Sequence, residues 1–125
     1  MKVYNIDNKE ELTEYLSSIP VHDAYFKTIS YDKPEKKLSI ELYNDITDTR
    51  IKIVFSQVKF LFSIDSDRWG VNESISSLTL ESDFSQFIKI FEQYKIKVTN
   101  ELYFLFQMFS GNEIYIICKE VYFNM

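Results

Sequence analysis

Apolar residues near the start of the chain recur at the spacing of an α-helix. The repeating positions are Leu12, Tyr15, Leu16 and Ile19. Asn8 precedes them and Glu11 follows Asn8 by three residues, which predicts an N-terminal capping box. Pro20 cannot continue a helix. We therefore predict one helix that begins after Asn8 and ends before Pro20.

The apolar period changes to two after Ala24. The clearest alternation covers residues 37–43, whose buried face would consist of Leu38, Ile40 and Leu42. Residues 32–36 include Asp, Lys and Pro, which are typical of a turn. Since an earlier apolar segment covers residues 25–31, the pattern predicts an antiparallel β-hairpin.

The alternation changes phase in the next apolar run. The alternating apolar residues first occupy odd positions, namely Ile51, Ile53 and Phe55, and then even positions, namely Val58, Phe60, Phe62 and Ile64. Successive side chains of a strand point to opposite faces, so a change of phase requires a bulge, a bend or a break. Near Ser56 and Gln57 we expect one long, bent strand or two short strands.

A weaker strand and a second helix follow. The strand covers residues 71–80, and its apolar phase changes between Ile75 and Leu78. The helix is predicted near residues 83–95 with Ser82 or Asp83 as its cap. Its apolar positions at helical spacing are Phe84, Phe87, Ile88, Phe91 and Tyr94.

The last part of the chain predicts a second hairpin. Residues 101–109 and 113–123 are strongly apolar, and the Ser-Gly-Asn sequence between them is typical of a turn. Both faces of this hairpin carry apolar residues, so each face needs cover from a helix, a second layer or another subunit. Without a linker or repeat, residues 1–125 are expected to form one α+β domain, dominated by a bent or curled antiparallel sheet with two helices.

Composition and charge narrow the function classes. Aromatic residues make up 17% of the chain and Gly and Pro number two each, which excludes disorder. With 14 Lys and Arg against 19 Asp and Glu, the net charge is −5. This balance, with lysines scattered along the sequence, argues against nucleic-acid binding and suits a basic protein partner. Because no secretory signal or membrane-spanning apolar run is visible, we expect a cytoplasmic protein without membrane contact.

Candidate catalytic and metal-binding residues are few. Cys118 is the only cysteine and lies in an apolar run, so we expect it to be a buried hydrophobic residue. His22 is the only histidine and is followed by Asp23, a pair that could line a pocket but is more simply a turn. The segment from Asp65 to Gly70 imitates the start of a calcium loop, but Ser76 replaces the bidentate Glu. We expect no catalytic residues, no metal and no cofactor.

An acidic loop with one tryptophan is the candidate contact surface. Trp69 lies close in sequence to Asp65, Asp67 and Glu73. Tryptophan is enriched among residues that dominate binding energy, and carboxylates around it would complement a basic partner. We therefore name Asp65, Asp67, Trp69 and Glu73 as candidate partner-binding residues.

The order of motifs from residue 20 onward resembles a group of small bacterial proteins. The resemblance is carried by His22-Asp23-Ala24, the F-x-x-V spacing of Phe55 and Val58, the Trp69-Gly70 loop and the closing hairpin over residues 109–121. Some relatives of that group are regarded as immunity-like proteins that neutralise a toxin encoded beside them. The resemblance implies stoichiometric binding of a toxin and no catalytic residues.

Three hypotheses follow from the sequence. The leading one is a non-enzymatic protein-binding module, immunity-like, with an acidic surface for a basic toxin domain. The second is a ligand-binding or enzymatic domain whose pocket lies near His22 and Asp23, between the sheet and the second helix. The third is a structural homo-oligomer that buries the second apolar face of the sheet.

Overall fold

The computed structural model describes residues 2–64, 74–81, 87–97 and 100–125. Seven strands and two α-helices are defined within these ranges, and a short 3-10 turn over Ile6–Asn8 precedes the first helix. In chain order they are β1 (Val3–Tyr4), α1 (Lys9–Ser18), β2 (Tyr25–Asp32), β3 (Lys37–Asn44), β4 (Thr49–Ile64), β5 (Ile75–Leu80), α2 (Ile88–Tyr94), β6 (Leu102–Met108) and β7 (Glu113–Asn124).

The strands form one antiparallel sheet in the order β2-β3-β4-β7-β6-β5. The short β1 pairs with β7, so that Val3 lies opposite Tyr122 and Tyr4 lies opposite Val121. Every pairing between these strands is antiparallel. The predicted α+β class with two helices is therefore confirmed, and β7 lies at the centre of the sheet with three strands as neighbours.

The sheet curls until its two edge strands meet at one end. Tyr25 of β2 forms an isolated bridge with Ser74, the residue before β5. The Asp23 amide donates to the Ile75 carbonyl at 3.0 Å, and the Ile75 amide donates to the Ala24 carbonyl at 2.8 Å. These bonds pair backbone groups that an open sheet would leave exposed at its edges.

The first helix has the predicted bounds but a different cap. It runs from Lys9 to Ser18, and Ile19 is extended before Pro20, as expected for a residue that precedes proline. The capping box predicted between Asn8 and Glu11 is wrong, because Asn8 makes no side-chain cap hydrogen bond to α1. Its side chain instead accepts from the Asn5 amide at 2.7 Å and completes the preceding 3-10 turn.

The phase change predicted near Ser56 and Gln57 is confirmed within one continuous strand. Strand β4 keeps its pairing with β7 throughout, with a register shift between Val58 and Phe60. Gln57 adopts a positive φ of 52°, the left-handed conformation found at bulges. Opposite it, the inward-facing residues of β7 change phase between Val121 and Cys118, the partner of Val58. The register shift after Val58 then turns Phe60 and Phe62 to the opposite face of the sheet, so the prediction that they share a face with Val58 is wrong.

The concave face of the curled sheet holds the larger of two apolar clusters, the inner cluster. Phenylalanine rings join its strands: Phe55 of β4 lies edge-on to Phe104 of β6 with centroids 5.1 Å apart. The rings of Phe26 in β2 and Phe106 in β6 have centroids 5.5 Å apart. Leu12 of α1 is fully buried in the same cluster, so α1 covers this face. The predicted inward face of β3 is confirmed.

The second cluster, the outer cluster, lies on the opposite face of the final hairpin. Helix α2 covers it with Ile90 and Phe91, which pack with Tyr103 and Tyr115. Ile88, which was predicted on the apolar face of the helix, is half exposed, so this detail of the prediction is wrong. Since α2 covers the doubly apolar hairpin, the observation behind the homo-oligomer hypothesis has an intramolecular explanation.

Tyr115 gives the outer cluster an alkaline pH dependence. Burial, with a smaller contribution from the Glu113 carboxylate, raises the pKa of the Tyr115 hydroxyl to about 12. An unfolded tyrosine has a pKa of about 10, so above that pH the unfolded chain releases a proton that the folded protein keeps. The free energy of unfolding should therefore fall as the pH rises from about 10 towards 12.

We expect the Tyr115→Phe variant to lose part of this alkaline decline. Urea midpoints measured at about pH 9 and about pH 11.5 should differ less in the variant than in the wild type, because phenylalanine has no proton to release. Tyr31→Phe, in an exposed position on β2, is the matched control and should keep the wild-type decline. An unchanged decline in Tyr115→Phe would assign the pH dependence to other groups.

Candidate functional site

The four residues named as a contact surface lie outside the described ranges. Asp65, Asp67, Trp69 and Glu73 all fall within residues 65–73, and their placement is not described. The flanking Ser74 is described, and its carbonyl accepts a hydrogen bond from the Phe109 amide at 3.3 Å. One end of this loop is therefore held beside the β6–β7 turn.

His22 and Asp23 form the tight turn that leads into β2. Asp23 has a positive φ of 70°, which aspartate tolerates better than most residues, and the Ala24 amide donates to the Val21 carbonyl at 2.9 Å. The turn prediction is therefore confirmed. His22 Nδ1 lies 3.1 Å from an Asp23 carboxylate oxygen, and the His22 side chain is 68% exposed.

Asn44 ties this turn to the β3–β4 turn. Its side-chain amide donates to the carbonyls of Pro20 and His22, both at 3.1 Å. Its side-chain oxygen accepts from the amides of Ile46 and Thr47 at 3.0 and 3.2 Å. Asn44 is buried, so it can hold the two turns in a fixed relation without competition from water.

Two exposed apolar side chains lie nearby, one on the β3–β4 turn and one on the β6–β7 turn, which contacts His22. Phe109, the first residue after β6, is 59% exposed, and its ring lies edge-on to His22 with centroids 5.6 Å apart. Ile46, in the turn held by Asn44, is 75% exposed. The sequence pattern assigned Phe109 to the apolar face of the last hairpin and did not single it out. Its position immediately before the Ser-Gly-Asn turn was the signal that could have identified it.

Exposed carboxylates lie on the same two turns as His22 and Ile46. Asp23 lies in the His22 turn, and Asp45 and Asp48 lie on either side of Ile46 and Thr47. Asp48 accepts a hydrogen bond from the Tyr43 hydroxyl at 2.6 Å, which orients its carboxylate. We call the set His22, Asp23, Asp45, Ile46, Asp48 and Phe109 the acidic–aromatic surface.

His22, Asp23 and Cys118 are the described residues that the sequence offered for chemistry. Five cavities of about 220 to 650 Å³ in the described part of the chain are lined by residues other than His22 and Asp23. Within the described part of the chain, no three His, Cys, Asp or Glu side chains are grouped to hold a metal ion. Cys118 is fully buried in the inner cluster, where burial raises the pKa of its thiol, the opposite of what a nucleophile needs.

The helices defined in the described ranges are too short or too polar to cross a lipid bilayer.

The bonds of Asn44 lead to a stability prediction. Asn44→Ala removes two donors and one acceptor that pair with four backbone groups, so we expect the free energy of unfolding to fall by about 2 kcal/mol. Asn44→Asp keeps the acceptor for Ile46 and Thr47, but its second carboxylate oxygen would face the Pro20 and His22 carbonyls, so at neutral pH we expect it to lose at least as much stability as Asn44→Ala. Chemical denaturation measures both variants, and an Asn44→Ala variant as stable as the wild type would contradict the role of these bonds.

No protein-family model matches this chain, and no curated protein is significantly similar to it in sequence.

Proposed function

We propose that the protein is a non-enzymatic binding module that contacts a protein partner through the acidic–aromatic surface. The observation that carries this proposal is Phe109, a large aromatic side chain that is more than half exposed on a hydrogen-bonded turn. Aromatic residues are among those that dominate binding energy when a partner covers them. A protein that buries most of its other phenylalanines has no packing reason to leave this ring in water.

The arrangement around Phe109 suits an interface in two further respects. The ring is held on one side by His22 and its backbone is bonded to Ser74, so little conformational freedom is lost when a partner binds. Asp23, Asp45 and Asp48 provide negative charge at the margin, where it steers a basic partner towards the surface. Asp65, Asp67, Trp69 and Glu73 precede Ser74 in the sequence, and we include them in the same proposal.

The partner class that best fits this surface and the sequence resemblance is a basic toxin domain. On this proposal the protein is immunity-like, acts in the cytoplasm and neutralises the toxin by covering it in a stoichiometric complex. The hypothesis of an enzymatic or ligand-binding pocket at His22 gains no support from the cavities, which lie elsewhere on the described surface.

The test compares the proteins captured by two forms of this chain. Wild type and Phe109→Ala, each immobilised through the same tag, are incubated with lysate of the source organism, and captured proteins are quantified by mass spectrometry. We expect a basic protein that the wild type retains and Phe109→Ala loses. Expressing that protein alone should arrest growth, and coexpression with this chain should restore growth.

Glu92→Gln is the control bait, because it changes one exposed residue of α2 and leaves the acidic–aromatic surface intact. It should capture the same partner as the wild type. A partner retained equally by Phe109→Ala would remove this surface from the interface. A captured partner that does not affect growth would leave a binding module but overturn the immunity role.

A further inference from the structure

A second feature of the surface is a groove with a high local density of lysine. Its volume is about 650 Å³, and it lies where the β2–β3 turn meets the bulge of β4. The residues that define it are Tyr31, Lys33, Lys36, Lys59, Glu101 and Lys119. The sequence suggested that the lysines are scattered; in the structure four of them surround one groove, so in space that expectation is wrong.

The lysines of the groove are only partly neutralised. Lys59 pairs with the buried carboxylate of Glu101 at 3.3 Å. Lys33, Lys36 and Lys119 form no ion pair with any carboxylate of the described residues. Four lysines therefore line one groove, with the Glu101 carboxylate among them and the Glu120 carboxylate beside it, in a chain whose net charge is −5. An anion of the right size would relieve the repulsion among them.

The backbone holds the groove in shape. The Lys36 carbonyl accepts from the Val58 amide at 2.9 Å, so the β2–β3 turn is bonded to the bulge of β4. Lys36 adopts a positive φ of 53° in this turn. Gln57 donates to the Glu120 carboxylate at 2.9 Å, which fixes the position of that acidic group next to the groove. The lysines are thus presented by backbone segments that are fixed before any ligand arrives.

The charge of the groove and one aromatic ring indicate the ligand. The groove is open to solvent, so these groups, and not enclosure, must supply the affinity. Lysine ammonium groups bind phosphate as point charges, and the half-exposed ring of Tyr31 can stack on a planar group. A long nucleic acid would be repelled by the net charge of −5, whereas a small anion experiences mainly the local lysines.

We propose that this groove binds a phosphorylated small molecule with a planar ring, of the nucleotide class. The lysines bind its phosphates and Tyr31 contacts its ring. This site involves different residues from the acidic–aromatic surface, so its test is independent of the test of the proposed protein partner.

Isothermal titration of the full-length protein with ATP at low ionic strength tests the site. We expect saturable binding of ATP, and weaker binding of AMP because it offers the lysines fewer phosphate charges. Lys33→Gln and Lys119→Gln should each raise the Kd for ATP about tenfold, the loss of one charge-assisted contact. Lys89→Gln, an exposed lysine of α2 outside the groove, is the matched control and should bind as the wild type does.

Two further probes separate the contributions of phosphate and ring. Tripolyphosphate alone should bind more weakly than ATP. Tyr31→Ala should weaken the binding of ATP and leave the affinity for tripolyphosphate unchanged. Equal binding of ATP and tripolyphosphate would overturn the ring contact. Absence of ATP binding at millimolar concentration, an equal effect of Lys89→Gln, or tighter binding of a twelve-residue oligothymidylate than of ATP would overturn the proposal.

Discussion

Replacing Phe106 with alanine is expected to lower the free energy of unfolding by about 3 to 5 kcal/mol. Phe106 of β6 is fully buried. Its ring centroid lies 5.5 Å from that of Phe26 in β2 and 6.3 Å from that of Phe55 in β4. It therefore joins three strands across the concave face of the sheet. Its removal leaves a cavity that the surrounding side chains can fill only in part. The urea midpoint measured by far-UV circular dichroism reports the loss.

Phe109→Ala is the matched control for this prediction. The same substitution is made three residues later, but Phe109 is mostly exposed, so we expect its free energy of unfolding to change by less than about 1 kcal/mol. Two variants of equal stability would contradict the assignment of Phe106 to the inner cluster and Phe109 to the surface. The comparison also establishes that Phe109→Ala is folded, which the binding experiments require.

The affinity for the proposed partner should depend on Phe109 and on the surrounding carboxylates in different ways. Phe109→Ala is expected to raise the Kd by about 30-fold or more, mainly through faster dissociation, because a buried aromatic contact is lost. The triple variant Asp23→Asn, Asp45→Asn, Asp48→Asn should instead reduce the association rate about tenfold at low salt. Asparagine tolerates the positive φ of Asp23, so the turn is preserved.

Surface plasmon resonance at two salt concentrations separates these effects. The difference in association rate between the wild type and the triple variant should shrink at high salt, where charges are screened. The control variant Glu14→Gln, Glu35→Gln, Glu92→Gln makes the same change in net charge at exposed positions on other elements. If it slows association as much as the triple aspartate variant does, the effect comes from the net charge and not from the acidic–aromatic surface.

The elements that the sequence predicts well are those that depend on local periodicity. The first helix, the β2–β3 hairpin and the phase change in β4 follow from side-chain spacing within a few residues. The details that fail depend on contacts beyond that range. Asn8 bonds to Asn5 instead of capping α1, and the outer cluster buries Ile90 of α2 while leaving Ile88 exposed.

The candidate sites were less predictable because they depend on how the sheet curls. Asn44 meets the His22 turn because β2 pairs with β3, whereas Phe109 reaches His22 only because β2 and β5 close one end of the sheet. The lysine groove likewise requires the β2–β3 turn to bond to the bulge of β4. No local pattern encodes either juxtaposition, although the coupled spacing of Cys118 and Val121 in β7 was available to indicate that β7 bends with β4.

The central place of β7 has a consequence for how the protein is made. Strand β7 pairs with β1, β4 and β6, yet the ribosome synthesises it after all of them. Until β7 emerges, β4 lacks its longest pairing and can form only its local hairpin with β3. Pairing between segments so distant in the sequence slows folding, because the chain loses loop-closure entropy before the strand contacts contribute any stabilisation. The nascent chain must therefore keep sixteen residues of largely apolar strand from aggregating until synthesis has passed β7.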